Sequence, residues 1–379
     1  KHLAVLLLGL AFLGGCAPRS MPEVATSQLP AAPTVSLVPA ATPTFTPSPE
    51  DSAWQKVVDA AKKEGKVTLY ATWVPKGGSD VETSFESTYK IDLEILNGRG
   101  AEFTERLKTE RRIGQRVGDV TQGSAIIINN MKLEGLLASV ADELPALREK
   151  GVWRVEPTAF DPQDRANLLW SINERSAYVN TKLVKPEEVP KSWKDLLNQR
   201  WTKNMVLNDP NMGPGIYEAI VTFMENKLWD EEYIRALYRQ KLAIPPNDMD
   251  ALRMLSAGES HLSIVSADTF AAGFAQEGAS IQAISIEGTV LVGPATVAVL
   301  SGGPHPNASR VFVNWLLSAN GQTAVGKIMG RGMVRKDVPD FRSKAIQAPA
   351  TKYLLTTLNQ NDKATELFKQ KWFDKLVGR

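Results

Sequence analysis

The side chains best suited to bond-making chemistry are few. They are three histidines (His2, His261 and His305), one cysteine (Cys16) and the run Gly321-Gln-Thr-Ala-Val-Gly-Lys327. A hydrolase or transferase needs a nucleophile with a base in reach, and the chain has no Gly-x-Ser-x-Gly elbow and no neighbouring histidines. His261 borders a predicted strand and His305 stands between Pro304 and Pro306 in a predicted turn, so both read as structural. The run from Gly321 has the outline of a phosphate-binding loop. Ile328 occupies the Ser/Thr position that would meet magnesium, however, and a predicted helix, Val311 to Ser318, precedes it instead of a strand. Without a cysteine pair or a spaced histidine pair, no metal site and no cofactor are expected, and the chain reads as a non-enzyme.

Cys16 suits a different chemistry. Lys1 and His2 followed by the apolar run Leu3 to Leu13 match a secretory signal, and Leu13-Gly14-Gly15-Cys16-Ala17 resembles a bacterial lipobox, whose cysteine is acylated after cleavage. The leader is expected to begin slightly upstream of Lys1. Its apolar run is too short to span a bilayer, which takes about 20 residues. Several acyl chains, at about 0.8 kcal/mol per buried methylene, would hold the protein at the membrane. Ala17 instead of Asp gives no sign of inner-membrane retention. Residues 17–50 are rich in Pro, Thr, Ser and Ala, a composition that buries little apolar area and reads as an extended tether.

The elements beyond the tether must supply the rest. Residues 51–379 contain no cysteine, so a surface protein of this size must rely on hydrophobic cores without disulfides. The net charge of +2, with both signs interspersed, argues against nucleic acid as a partner. Apolar spacing predicts alternating helices and strands: helix 54–64, strand 66–71, helix 81–89, strand 91–96, then a helix from Gly98-Arg99-Gly100 to about Arg112. Further on come strand 176–180, short helix 193–197, strand 205–208, a helix from Gly213-Pro214-Gly215 through Asn226, helices 231–241 and 248–256, strand 261–266 and the β-branched run 290–300. Such alternation argues for an α/β protein with parallel strands and about two domains.

The segment Tyr178-Val-Asn-Thr-Lys-Leu-Val-Lys-Pro-Glu-Glu-Val-Pro-Lys-Ser-Trp-Lys-Asp-Leu-Leu197 resembles the extracellular solute-binding proteins of ABC importers, in the branch that includes ferric-iron binders. The likeness continues through Trp201 to Pro210, Ala251 to Glu259 and Gly303 to Gln322. The resemblance implies a type II periplasmic-binding-protein clamshell: two α/β lobes joined by crossover strands, closing on a small-molecule solute. It places lobe one at 51–177 and 281–330, lobe two at 178–280 and 331–379, and the crossovers at Ser176 to Asn180 and Ile281 to Val299. It also implies an extracytoplasmic, lipid-anchored monomer that serves an ABC permease and its ATPase.

In such a fold the solute meets loops after strands and helix N-termini, where free amides favour anions. The positions that fit are Thr72 and Trp73; Gly98, Arg99 and Gly100; Gln122, Gly123 and Ser124; Asn211, Met212, Gly213 and Tyr217; and Ser266, Asp268 and Thr269. Several have a structural role open to them as well. Trp73 suits an interlobe surface, Arg99 a surface ion pair, Tyr217 core packing, and Asp268 or Ser124 a helix cap. The iron-binding members carry adjacent tyrosines where Thr269 and Phe270 stand here, and neither of these offers a phenolate to a hard ferric ion. The expected solute is therefore a small organic anion met by Arg99. A metal-ion binder with a non-tyrosine site, or a sensor of the same fold that feeds a signalling partner, remains as an alternative.

Overall fold

The computed structural model describes residues 49–72, 78–212 and 215–378, all within one compact unit running from Pro47 to Arg379. Cys16, residues 17–48 of the expected tether, Trp73 and Gly213 lie outside the described residues, and the last two tether positions, Pro49 and Glu50, begin the first helix.

The chain opens as α1 (Pro49–Glu64), β1 (Lys66–Ala71), α2 (Gly78–Tyr89), β2 (Asp92–Asn97), α3 (Gly100–Ile113), β3 (Val120–Ser124), α4 (Ala125–Leu133) and β4 (Leu137–Ala138). A long strand, β5 (Leu168–Asn180), leads to β6 (Met205–Val206), α5 (Gly215–Glu225), α6 (Glu231–Arg239), α7 (Asp248–Ala257), β7 (Leu262–Ala267) and α8 (Asp268–Gln276). The return path is β8 (Ile281–Ile284), β9 (Thr289–Leu300), α9 (Pro306–Leu317), α10 (Ala319–Met329) and β10 (Gly332–Met333). It ends with β11 (Lys352–Leu355), α11 (Leu358–Lys369) and α12 (Trp372–Val377).

Helix ends follow local chemistry. Asp230 caps α6 by accepting from Tyr233 N–H, Asn247 caps α7 by accepting from Asp250 N–H, and Gly258 closes α7 at φ 80°. Segment 193–197 is a 3-10 turn.

Hydrogen bonding links seven of the eleven described strands in the order β2-β1-β3-β9-β5-β7-β6, with β8 and β10 pairing to β5 and β4 and β11 to β9. β1 runs parallel to β2 and β3, and all but its first residue are buried, so covering helices lie on both faces. β5 and β9 are antiparallel neighbours from Leu168↔Val297 to Arg175↔Leu291 and pass through the two largest of four hydrophobic cores among the described residues. Leu168, Leu169, Trp170 and Ile172 of β5 pack in the first core with Val292, Ala295, Val297 and Val299 of β9, while Ala177 and Val179 of β5 pack in the second with Leu291. The predicted crossover at Ser176 to Asn180 is thus the second half of a 13-residue strand. The other predicted crossover, Ile281 to Val299, is two strands broken at residues 285–288.

The cores also divide the tail differently from the sequence partition. Met333, Val334 and Val338 belong to the first core because β10 pairs with Ser171 and Ile172, and Ile284 and Ile286 belong to the second because β8 pairs with β5 at Ala177 to Asn180.

Candidate functional site

Two adjoining compartments open beside the β5–β9 pair. The larger, about 570 Å³, is lined by Thr72, Gln122, Gly123 and Ser124 at the C-terminal ends of β1 and β3, by Thr269 and Phe270 in the first turn of α8, and by Asn173, Pro294 and Arg331. The smaller, about 380 Å³, is lined by Arg175, Asn208, Asp209, Met212, Asp248 and Met249, and it shares Phe270 with the first. One wall therefore comes from strand ends that pack on the first core, and the facing wall from α8, which packs on a separate cluster with Tyr178, Leu252 and Leu255.

The geometry follows from the strands. Parallel β1 and β3 end side by side, with Ala71 paired to Gln122, so the loops after them enter the cleft together. Ser124 occupies the N-cap position of α4 but its hydroxyl makes no capping hydrogen bond, and its side chain is exposed at the cleft. The N-termini of α4 and α8 both lie at the larger compartment, where their partial positive charge favours an anion.

Behind the cleft lies a buried ionic network. Arg342 donates to Glu174 Oε1 at 3.0 Å, to Asp268 Oδ2 at 2.8 Å and to Asp340 Oδ2 at 2.6 Å. Burial pushes the Asp268 carboxyl up to about 6, against the opposing pull of Arg342. Its Oδ1, Glu174 Oε2 and the Tyr178 hydroxyl have no hydrogen-bond partner among the described residues. Burial also brings Arg331 down to about 10, with Asp268 acting in the other direction. The Arg331 guanidinium donates to Asn173 Oδ1 and lies over the Trp170 ring. In the smaller compartment Arg175 donates to Asp248 Oδ2 at 3.2 Å.

Of the residues expected from sequence, Thr72, Gln122, Ser124 and Thr269 meet in the larger compartment and Met212 lines the smaller. The others go elsewhere. Arg99 is 88% exposed, lies 3.9 Å from Glu102 and lines neither compartment. Gly98 and Gly100 line neither compartment; a Cβ on Gly100 would meet Ile127 Cγ2 at 2.5 Å, so this glycine lets α3 pack on α4. Tyr217 is fully buried in the second core, and its hydroxyl accepts from Phe373 N–H at 3.0 Å. Ser266 is buried with its Oγ 2.7 Å from Ser263 Oγ, because it faces into the sheet at the end of β7. Asp268 is the first residue of α8, with Ala267 at the N-cap position, and is held by Arg342. Asn211 is turned toward Asp374.

Sequence reasoning missed Arg331, Asn173, Arg175 and Phe270. Arg331 follows Gly330, the left-handed C-cap of α10, and only the return of the chain to β5 brings it to the cleft. His305 anchors a turn: its Nδ1 lies 2.8 Å from Asp119 Oδ2, and that carboxylate also accepts from Thr68 N–H. Gly321 to Lys327 is interior to α10, without a loop to cradle phosphate. Among the described residues no group of three His, Cys, Asp or Glu side chains is placed to hold a metal ion, and no helix is long and apolar enough to cross a membrane.

Two large α/β cores joined by long antiparallel strands, with a cleft where the strand ends meet, define a two-lobed binding protein for small solutes. The family model described as bacterial extracellular solute-binding protein matches residues 81–353, and the chain belongs to that family. Its place is therefore outside the cytoplasm. The fold is similar to a ferric binding protein of Bordetella (17% identity, 82% of this chain and 99% of that one, TM-score 0.66). It is also similar to the Trichodesmium protein IdiA (FutA) in complex with iron and citrate (16%, 83% and 99%, 0.64). A third similar structure is AfuA of Actinobacillus pleuropneumoniae with fructose-6-phosphate bound (17%, 83% and 98%, 0.54). In sequence, an uncharacterized protein of Haemophilus influenzae is 28% identical over 148 residues; the match spans 37% of this chain and 41% of that relative's length.

Proposed function

We propose that the protein is the lipid-anchored receptor of an ABC importer. In this reading it captures a small organic anion between lobes divided as the two cores divide, and hands it to the permease and its ATPase. The observation that carries this is the convergence on one cleft of Thr72 and Ser124 from one wall, Thr269 from the other, and Arg331 at the junction. Hydroxyls, helix N-termini and a guanidinium make a donor-rich surface suited to a carboxylate, phosphate or phosphonate. Arg331 takes the role that the sequence pattern suggested for Arg99.

The iron named for the relatives does not carry over easily. Thr269 and Phe270 line the cleft, and no tyrosine is among the lining residues of either compartment. Capture works as a two-state equilibrium that a solute biases by bridging both walls. Cys16 supplies the anchor and residues 17–48 the reach.

A thermal-shift screen against carboxylates, phosphonates, sugar phosphates, ferric citrate, polyamines and amino acids tests the proposal. A solute at a hundredfold excess over its Kd stabilises the fold by about 2.7 kcal/mol, a plain shift in melting temperature. Hits confined to cations or neutral sugars would overturn the anion reading, and an unchanged protein across the whole panel would overturn the receptor reading. For the anchor, radiolabelled palmitate should enter the wild-type chain and not Cys16→Ser.

A further inference from the structure

The cleft is not uniformly polar. Met212 is 65% exposed, Phe270 43% and Met249 40%, and all three line the smaller compartment. They come from separate elements, the turn before α5, the first turn of α8 and the first turn of α7, yet they line one compartment. Phe270 also borders the larger compartment, so this apolar shelf begins where the donors around Arg331 end. Thioether and aromatic side chains are polarizable and favour contact with an aromatic or alkyl surface. Leaving three of them exposed costs hydration free energy that an apolar group would recover.

The volumes agree with an organic body. Compartments of about 570 and 380 Å³ are on the scale of pockets that enclose small organic molecules and far exceed a bare ion. On the premise that the cleft is a solute site, we propose that its solute is amphipathic: a carboxylate or phosphonate held by Arg331, Thr72 and Ser124, carrying an aromatic or branched alkyl group that lies on Met212, Met249 and Phe270.

The test uses matched probes on the full-length protein. Dissociation constants are measured by calorimetry for benzoate against acetate and for phenylphosphonate against methylphosphonate, with wild type and with the exposed-site variant Phe270→Ser/Met249→Ser. The expected result is that each aromatic probe binds wild type about tenfold or more tighter than its methyl partner. In the variant this ratio falls toward one because the aromatic probes lose more affinity than the methyl probes. Equal binding within each pair, no binding by either aromatic probe at millimolar concentration, or an intact ratio in the variant would overturn the inference. So would a uniform loss across all four probes, which would assign the shelf to contact between lobes and not to the solute. If fructose 6-phosphate or ferric citrate bound saturably while the aromatic probes did not, the receptor reading would survive and this inference alone would fail.

Discussion

At the scale of single residues, the cation at the cleft is the clearest divergence between pattern and structure. Arg99 looked suited to an anion because glycines flank it at a helix start, but its side chain points to solvent and pairs loosely with Glu102. Arg331 has no such signature; its place depends on β10 returning to Ser171 and Ile172. We expect Arg331→Gln to weaken binding of an anionic solute more than tenfold and Arg99→Ala to leave it within about twofold, both by calorimetry, with Arg331→Lys as a control for folding. Tyr217 illustrates the same limit. Its position in the first turn of a helix after a glycine-rich segment fits a ligand contact, whereas a 3.6-residue period also fits the core that it fills. Tyr217→Phe removes the acceptor for Phe373 N–H. It should cost about 1 kcal/mol in urea denaturation without changing solute affinity. The meeting of Thr72, Gln122, Ser124 and Thr269 at one compartment was foreseeable because each lies in or within two residues of the C-terminal end of a strand in an α/β sheet, and such positions converge by topology.

At the scale of elements, α8 brings the buried charge network to the cleft. Asp268 at its start faces Arg342, Glu174 and Arg331, and burial places its carboxyl near 6 instead of the ordinary 3.8. The native state therefore binds more protons than the unfolded chain between these values, so this group's stabilising contribution is present below about pH 4 and is lost as pH rises through 6. Its size is on the order of 2–3 kcal/mol. Urea midpoints from pH 4 to 7 should show this slope in wild type and a flatter profile in Asp268→Asn. A second element-level expectation concerns α10. A Cβ at Gly321 would sit 1.8 Å from Trp315 O, at the tight corner between α9 and α10. Gly321→Ala should cost about 3 kcal/mol, measurable as a fall in melting temperature. The glycine that suggested a phosphate loop is a packing glycine. Helix and strand order was readable from periodicity, but the extent of β5 was not, because its first half is apolar on both faces and lacks alternation.

At the scale of the whole molecule, two cores connected by β5 and β9 give a fold in which the walls of one cleft belong to separately packed halves. A solute that bridges Ser124 and Thr269 should compact the protein. We expect a smaller radius of gyration by solution X-ray scattering on adding the solute, and no change with Arg331→Gln at the same concentration. The two-lobed architecture was legible only through family resemblance, since alternating elements show an α/β sheet but not where its chain crosses over. The cleft's apolar shelf was not legible, because Met212, Met249 and Phe270 are distant in sequence and meet only after folding.

The first helix carries a further consequence. Glu64 at the end of α1 accepts bonds from the Asn307 backbone and side chain, 243 positions downstream, and from Ala308 N–H. The first core likewise draws on residues as late as Val338. During synthesis and export, the earliest folded element therefore waits for nearly the entire polypeptide before its partners exist. High contact order of this kind slows folding. For a member of an extracytoplasmic family, that delay would keep the chain extended until the segment through Val338 has been made.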